Sequence, residues 1–211
     1  HPAFARDAAG HYRYHALTAS DIARKTRIHD FEHNGTRELV AADYVYQIKR
    51  LANPRLSSPI FGLMSEHIVG LKALGEALEK AAKADPDAVL KLDDFPLEGA
   101  EVVDRHTYRI RIKGKYPQFL FWLAMPFFAP VPREVDRFYT QPGMAAKNLT
   151  LDWWPVGTGP YYLAENDPNR RMVLKKNPHF HGEAYPAEGS EEDRRAGLLA
   201  DAGKPLPFVE E

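Results

Sequence analysis

His11 and His15, and again His29 and His33, stand four residues apart. On a helix that spacing brings two imidazoles within reach of one metal ion. Neither pair lies in a strongly helical stretch, no His-Glu-x-x-His pattern occurs, and no third ligand stands at a defined spacing. His179 and His181 flank Phe180 in a loop-like stretch. All six are expected as exposed histidines, and neither a metal nor another cofactor is expected. Gly157-Thr158-Gly159-Pro160 has the glycine density of a phosphate loop. The third glycine of the dinucleotide pattern, however, falls on Tyr162, and no Gly-Lys-Ser/Thr follows. Pro160 also lacks the backbone donor that a phosphate would take. A tight turn leading into a strand is the expectation.

Acid–base chemistry needs carboxylates whose titration burial or a neighbour has shifted. Asp93-Asp94 and Glu191-Glu192-Asp193 lie in polar surroundings and are expected as solvated surface. Only five serines occur (20, 57, 58, 65 and 190), none in Gly-x-Ser-x-Gly, and cysteine is absent. That excludes disulfides, Cys-ligated zinc and thiol nucleophiles. The most distinctive chemistry is aromatic. Phe119, Phe121, Trp122, Phe127 and Phe128 lie within ten residues, with Trp153-Trp154 downstream. Each ring stabilises the fold by about 1.5–3 kcal/mol when buried, so most are assigned to the core. The stretch from Met125 to Ala129 is the expected exception, because Pro126 and Pro130 hold it off regular structure. A ligand-cleft wall is the functional use of such a segment, since ligand sites are largely apolar.

Several elements must position these residues. Residues 1 to 29 are irregular in pattern, and Asn34-Gly35 signals a turn. Val40, Tyr44, Ile48 and Leu51 then follow helical spacing, and Asn53-Pro54 ends that helix. Ile60, Phe61, Leu63 and Met64 form a compact apolar patch. A second helix is predicted over 68–83, on the stripe Leu71, Leu74, Leu78 and Ala82, and Asp85-Pro86 stops it. Val102 to Lys113 predicts a hairpin, with Tyr108, Ile110 and Ile112 alternating against Arg109, Arg111 and Lys113. A short buried helix is predicted over 119–124 and an amphipathic one over 133–139. Two strands around 161–163 and 172–174 flank the turn Asn166-Asp167-Pro168-Asn169. From Gly182 on, eight acids face three bases, a net of −5, which predicts an acidic, loop-like tail. The order of elements implies an α+β fold, a small mixed sheet with packed helices, rather than a doubly wound sheet.

The 211 residues allow one large or two small domains, and 44% hydrophobic content allows a sizeable core. A net charge of −1 gives no field for phosphate neutralisation, so nucleic acid is not an expected partner. The longest apolar run, Phe119 to Val131, is broken by two prolines and is too short to span a membrane. The chain opens His-Pro-Ala-Phe, with no Met and no apolar leader, and a chain cleaved or cut from a longer one is expected.

Six segments, taken in order, resemble one family. They are Arg37-Glu38-Leu39-Val40-Ala41-Ala42-Asp43-Tyr44-Val45-Tyr46, Asn53-Pro54 to Ser58-Pro59, Val103-Asp104-Arg105-His106-Thr107-Tyr108-Arg109-Ile110, Pro130-Val131-Pro132, Val156-Gly157-Thr158-Gly159-Pro160-Tyr161-Tyr162-Leu163, and Leu174-Lys175-Lys176-Asn177-Pro178. Together, over residues 33 to 178, they are similar to the family 5 extracellular solute-binding proteins, the oligopeptide- and dipeptide-binding components of ABC importers. Val40 departs from the threonine that family often uses as a helix N-cap. The resemblance is to a middle lobe of longer proteins, without the lobe that carries the acidic anchor for a peptide amino terminus.

The resemblance implies a non-enzymatic, periplasmic, peptide- or small-solute-binding lobe that works with permease subunits. Its expected organisation is an irregular lead-in over 1–29, the lobe over 30–178, and the acidic tail over 179–211. Ile60 and Phe61 would face the ligand from one loop, and Met125 and Phe127 from another. Asp43, Gly157, Thr158, Gly159 and Pro160 would be structural. Two alternatives stand beside this reading. One is a carbohydrate- or peptide-acting hydrolase with paired carboxylates. The other is an interaction module presenting its aromatic patch to a partner chain.

Overall fold

The computed structural model describes residues 1–86 and 88–210. The chain divides into two compact units. One is Arg37–Thr140; the other joins His1–Thr36 to Gln141–Glu211. In chain order the helices are α1 (Ala19–Ile22), α2 (Ala41–Arg50), α3 (Phe61–His67), α4 (Leu71–Ala84), α5 (Phe119–Leu123), α6 (Arg133–Tyr139) and α7 (Glu191–Arg195). The strands are β1 (Ala100–Val102), β2 (Tyr108–Ile110), β3 (Tyr161–Asp167), β4 (Arg171–Lys176), β5 (Glu183–Ala184) and β6 (Pro205–Leu206). They pair in sequence as antiparallel two-stranded ladders, β1–β2, β3–β4 and β5–β6. The architecture is α+β, with helices carrying most of the packing.

In the unit Arg37–Thr140, α2 begins where the Asp43 carboxylate accepts the Val40 N–H at 3.0 Å. Valine offers no side-chain acceptor in return, so the cap is one-sided. Asn53 then closes the chain over Pro54, its side chain accepting the Arg55 N–H at 3.1 Å. The apolar patch at Ile60–Met64 proves to be helical, as α3, with Met64 fully buried and Leu63 exposed. α4 starts at Leu71, three residues later than the predicted start at 68. Ile68 is extended and bridges to Ile112, and Gly70 turns the chain with φ +76.

β1 and β2 pair Ala100 with Ile110 and Val102 with Tyr108. Their turn is closed by Asp104, whose carboxylate accepts the backbone N–H groups of His106 and Thr107 at 2.8 and 2.9 Å. The core gathers Val45 and Ile48 of α2, Leu51 just after it, Met64 of α3, Leu71, Leu74 and Leu78 of α4, and Leu92, Phe119 and Phe128. α5 is not the buried helix its composition predicts. Phe119 is buried, but Leu120 and Phe121 are 72% and 75% exposed. Five residues make little more than one turn, so only one side of this helix reaches the core.

In the other unit, the His1 ammonium donates to the Gly35 carbonyl at 2.8 Å. Gln141 ties the two sequence segments together, accepting from Leu17 N at 2.7 Å and donating to the Tyr14 carbonyl at 2.8 Å. β3 and β4 carry a register shift between Leu163 and Glu165. The acidic stretch after Gly182 is more ordered than its composition predicts. β5 pairs with β6, and α7 has a reciprocal cap between Ser190 and Asp193, with bonds of 2.8 and 3.1 Å. Among the described residues no helix is long and apolar enough to cross a membrane.

Two consequences can be measured. A Cβ on Gly99 would meet the Val69 carbonyl oxygen at 2.1 Å, a backbone atom that cannot yield locally. Gly99→Ala should therefore cost about 1–3 kcal/mol in urea unfolding; a neutral result would mean the two segments separate freely. Asp30 is raised by burial but more strongly lowered by hydrogen bonds from Thr26 and Arg27, and titrates at about 2. Its folded value lies below the unfolded one, so its contribution is complete above the ordinary Asp range and disappears as pH falls through about 2. Asp30→Asn should lose about 1–2 kcal/mol at pH 7 and converge on the parent chain near pH 2; equal losses at both pH values would refute this.

Candidate functional site

The best-built polar arrangement lies between α2 and α6. Along α2, Asp43, Tyr46, Gln47 and Arg50 fall three or four residues apart and form a polar stripe beside the apolar one. Arg37, just ahead of the helix, donates to Asp43 through Nη1 at 2.8 Å and Nη2 at 2.6 Å, and to Glu134 of α6 through Nε at 3.0 Å and Nη2 at 2.8 Å. The carboxylate side chains are only 3% and 8% exposed. Asp136, also on α6, accepts from Arg50 Nε at 2.9 Å and from the Tyr46 hydroxyl at 2.8 Å. The hydrogen bonds to Asp43, helped by Glu134, raise Arg37 beyond its ordinary range against the opposing effect of burial. Burial first, then the Asp136 charge, pushes the Tyr46 phenol up.

This network was only partly visible in the sequence. The resemblance marks Asp43 as structural, while the pattern over 133–139 predicts an amphipathic helix without singling out Glu134 or Asp136. The available signal was their position on either side of Val135, in a helix that also buries Phe138 and Tyr139. The three carboxylates are engaged by two guanidiniums and a phenol. Such a set can lock two helices together, and none of these contacts presents a free acid to a substrate.

The four residues assigned to ligand contact occupy two segments that share one core. Ile60 caps α3 and is buried in that core. Phe61, the first residue of α3, lays its ring over Gly75, where an added Cβ would meet the ring at 2.4 Å. Phe127 packs on the same core, with its ring 6.2 Å from Trp122 and 6.1 Å from Phe128. Met125 is different, being 43% exposed. Its backbone is extended, φ −85 and ψ 150, and it leads into the 3-10 turn Pro126–Phe128. With Leu120 and Phe121 it forms an exposed apolar surface along α5 and that turn. Behind them Trp122 Nε1 donates to the Tyr116 hydroxyl at 2.7 Å, and Tyr116 stacks on His67 at 4.0 Å.

The remaining candidates are structural or apart. Gly157-Thr158-Gly159-Pro160 forms the turn into β3, held by Asn177, which donates from its side chain to the Gly159 carbonyl and from its backbone to the Pro160 carbonyl. His15 stacks on Tyr12 at 4.2 Å, and His29 sits edge-on to the buried Trp154 at 5.7 Å. His11 pairs with Asp7 at 3.6 Å. Among the described residues no group of three or more metal-ligating side chains converges.

Residues 33–191 match the family described as bacterial extracellular solute-binding proteins, family 5, middle region. The periplasmic murein peptide-binding protein MppA of Escherichia coli K12 is 28% identical over 145 residues, 67% of this chain and 23% of that protein. The periplasmic oligopeptide-binding protein OppA of Salmonella typhimurium is 27% identical over 147 residues, with the same shares. Among solved structures, that of the E. coli murein tripeptide-binding protein MppA superposes with a TM-score of 0.48 at 24% identity, over 68% of this chain and 24% of that one. The chain thus spans about a quarter of the length of the curated relatives it matches. The family match over residues 33–191 defines the class, that of the bacterial extracellular solute-binding proteins, whose middle region it covers. The chain belongs to family 5 of the bacterial extracellular solute-binding proteins.

Arg37 carries the clearest energetic consequence. Arg37→Met leaves two buried carboxylates facing each other, and should destabilise the chain by about 3–5 kcal/mol in denaturant unfolding. Replacing Arg37, Asp43 and Glu134 together by apolar residues of similar volume should recover most of that loss. A single variant as stable as the parent would show that water already solvates these acids.

Proposed function

We propose that this chain is the middle lobe, over residues 30–178, of a periplasmic solute-binding protein that delivers peptides or similar small solutes to the permease of an ABC importer. Residues 1–29 and 179–211 are the lead-in and tail that flank it in sequence. The observation that carries the reading is the family match over 33–191, joined to an exposed apolar turn at Met125 in the segment where the resemblance puts ligand contact. Met125 offers a soft, adaptable side chain to apolar portions of a ligand. Phe61 and Phe127, each packed on the core that buries Ile60, would add apolar surface to the ligand side. The role is binding, not catalysis: both curated relatives are named as binding proteins. The buried carboxylates meet arginine and tyrosine rather than each other, which speaks against the hydrolase alternative. Transport would follow from rigid-body closure of lobes around the solute.

One lobe offers half a cleft. Calorimetry of this chain with di- to pentapeptides should show no saturation at about 1 mM, a regime worth only about −4 kcal/mol. In a full-length protein carrying this lobe, Met125→Glu should weaken peptide binding about tenfold by placing a charge against the ligand. Micromolar binding by the chain alone, or an unchanged affinity in the variant, would overturn the reading.

A further inference from the structure

The turn that presents Met125 is short, proline-bounded and carried by a five-residue helix. Something must fix its backbone, and one buried side chain from another element does so. Gln47 of α2 is 8% exposed and donates from Nε2 to the Phe127 carbonyl at 2.7 Å. The other end of the same amide is also occupied, because Arg50 Nη1 donates to Gln47 Oε1 at 3.2 Å. Arg50 is itself held by Asp136 of α6 at 2.9 Å. The amide can therefore present its NH₂ in one direction only, toward the turn.

We propose that Gln47, oriented through Arg50 and Asp136, is the positioning residue that sets the Met125–Phe128 turn. The inference rests on the proposed ligand-facing role of that turn for its functional meaning; the positioning itself does not. An apolar residue at position 47 would leave the Phe127 carbonyl without this donor. A glutamate would keep the shape and still accept from Arg50, yet could not donate to the carbonyl when ionised.

The chain contains four methionines, which makes the test direct. In ¹³C-methyl-methionine NMR of the whole chain, Met125 reports on the turn, Met64 on the core of the same unit, and Met144 and Met172 on the other unit. Gln47→Leu and Gln47→Glu should both shift and sharpen the Met125 methyl signal as the turn loosens, and leave the other three in place. In a full-length protein carrying this lobe, the same variants should weaken peptide affinity about tenfold, the scale of one lost buried hydrogen bond. A Met125 signal that stays put in both variants overturns the positioning role. So does a Met64 signal that moves as much as Met125, which would mark Gln47 as ordinary core packing. A displaced Met125 signal with unchanged peptide affinity would leave the positioning standing and remove the ligand-facing role of the turn.

Discussion

Arg37 is held by two carboxylates that are almost wholly withdrawn from water. An ionised carboxylate loses several kcal/mol of hydration on burial, and only a partner with matching geometry makes this tolerable. A guanidinium meets that demand because its planar fork can serve two acceptors at once. Lysine, with one compact ammonium, cannot place paired donors on both Asp43 and Glu134. The arrangement ties a residue ahead of α2, a residue in its first turn and a residue on α6 to a single geometry. Asp136, Tyr46 and Arg50 repeat the device one and two turns further along α2. A set of this kind adds little stability over an apolar interface of equal volume, but it tolerates few alternative registers. The alignment of α2 with α6 thus follows from where charges can be satisfied.

The apolar side of the same helix acts in the opposite manner. Val45 and Ile48, with Leu51 just past the helix end, join Met64, Leu71, Leu74 and Leu78 in one core, a burial without direction that is worth roughly 25 cal/mol for each Å² removed from water. α2 is therefore the element on which the unit Arg37–Thr140 is organised, with apolar packing on one stripe and directed polar contacts on the other. The exposed apolar surface at Leu120, Phe121 and Met125 lies at the end of this scheme. α5 buries Phe119 and rests Trp122 and Leu123 partly on the core, so Leu120 and Phe121 are left facing away from it.

Elements with a strong period were legible in the sequence. α2 ends at Arg50, three residues ahead of the Asn53-Pro54 signal, α4 follows its leucine stripe, and the β1–β2 and β3–β4 hairpins stand where alternation and turn residues put them. What escaped depends on distant partners. The start of α4 was displaced because Ile68 pairs with Ile112, some forty positions away, and no local pattern contains that bridge. The exposure of Phe121 was hidden because an aromatic run has the same composition whether one side or all sides are buried. The acidic stretch gained its short helix from the Ser190–Asp193 cap, a signature that is local but was submerged in the charge count. The α2–α6 network was least visible of all. Burial of Glu134 and Asp136 is decided by Arg37 and Arg50, roughly ninety residues earlier in the chain.

These two classes of contact meet at the candidate site. Met125 is exposed, so its own packing cannot fix it, and a flexible thioether in water samples several rotamers. Order at such a position must come from its backbone. The backbone is constrained on one side by Pro126 and on the other by α5, and just beyond it the Phe127 carbonyl receives the Gln47 amide. Gln47 sits between Asp43 and Arg50 on the helix whose direction the ionic contacts determine. The position of an apolar, surface-facing residue is thereby made to depend on buried polar groups that never touch it. A hydrophobic substitute for those groups could preserve the fold, but it would hold the turn only by contact area, which does not distinguish one orientation of a peptide carbonyl from another.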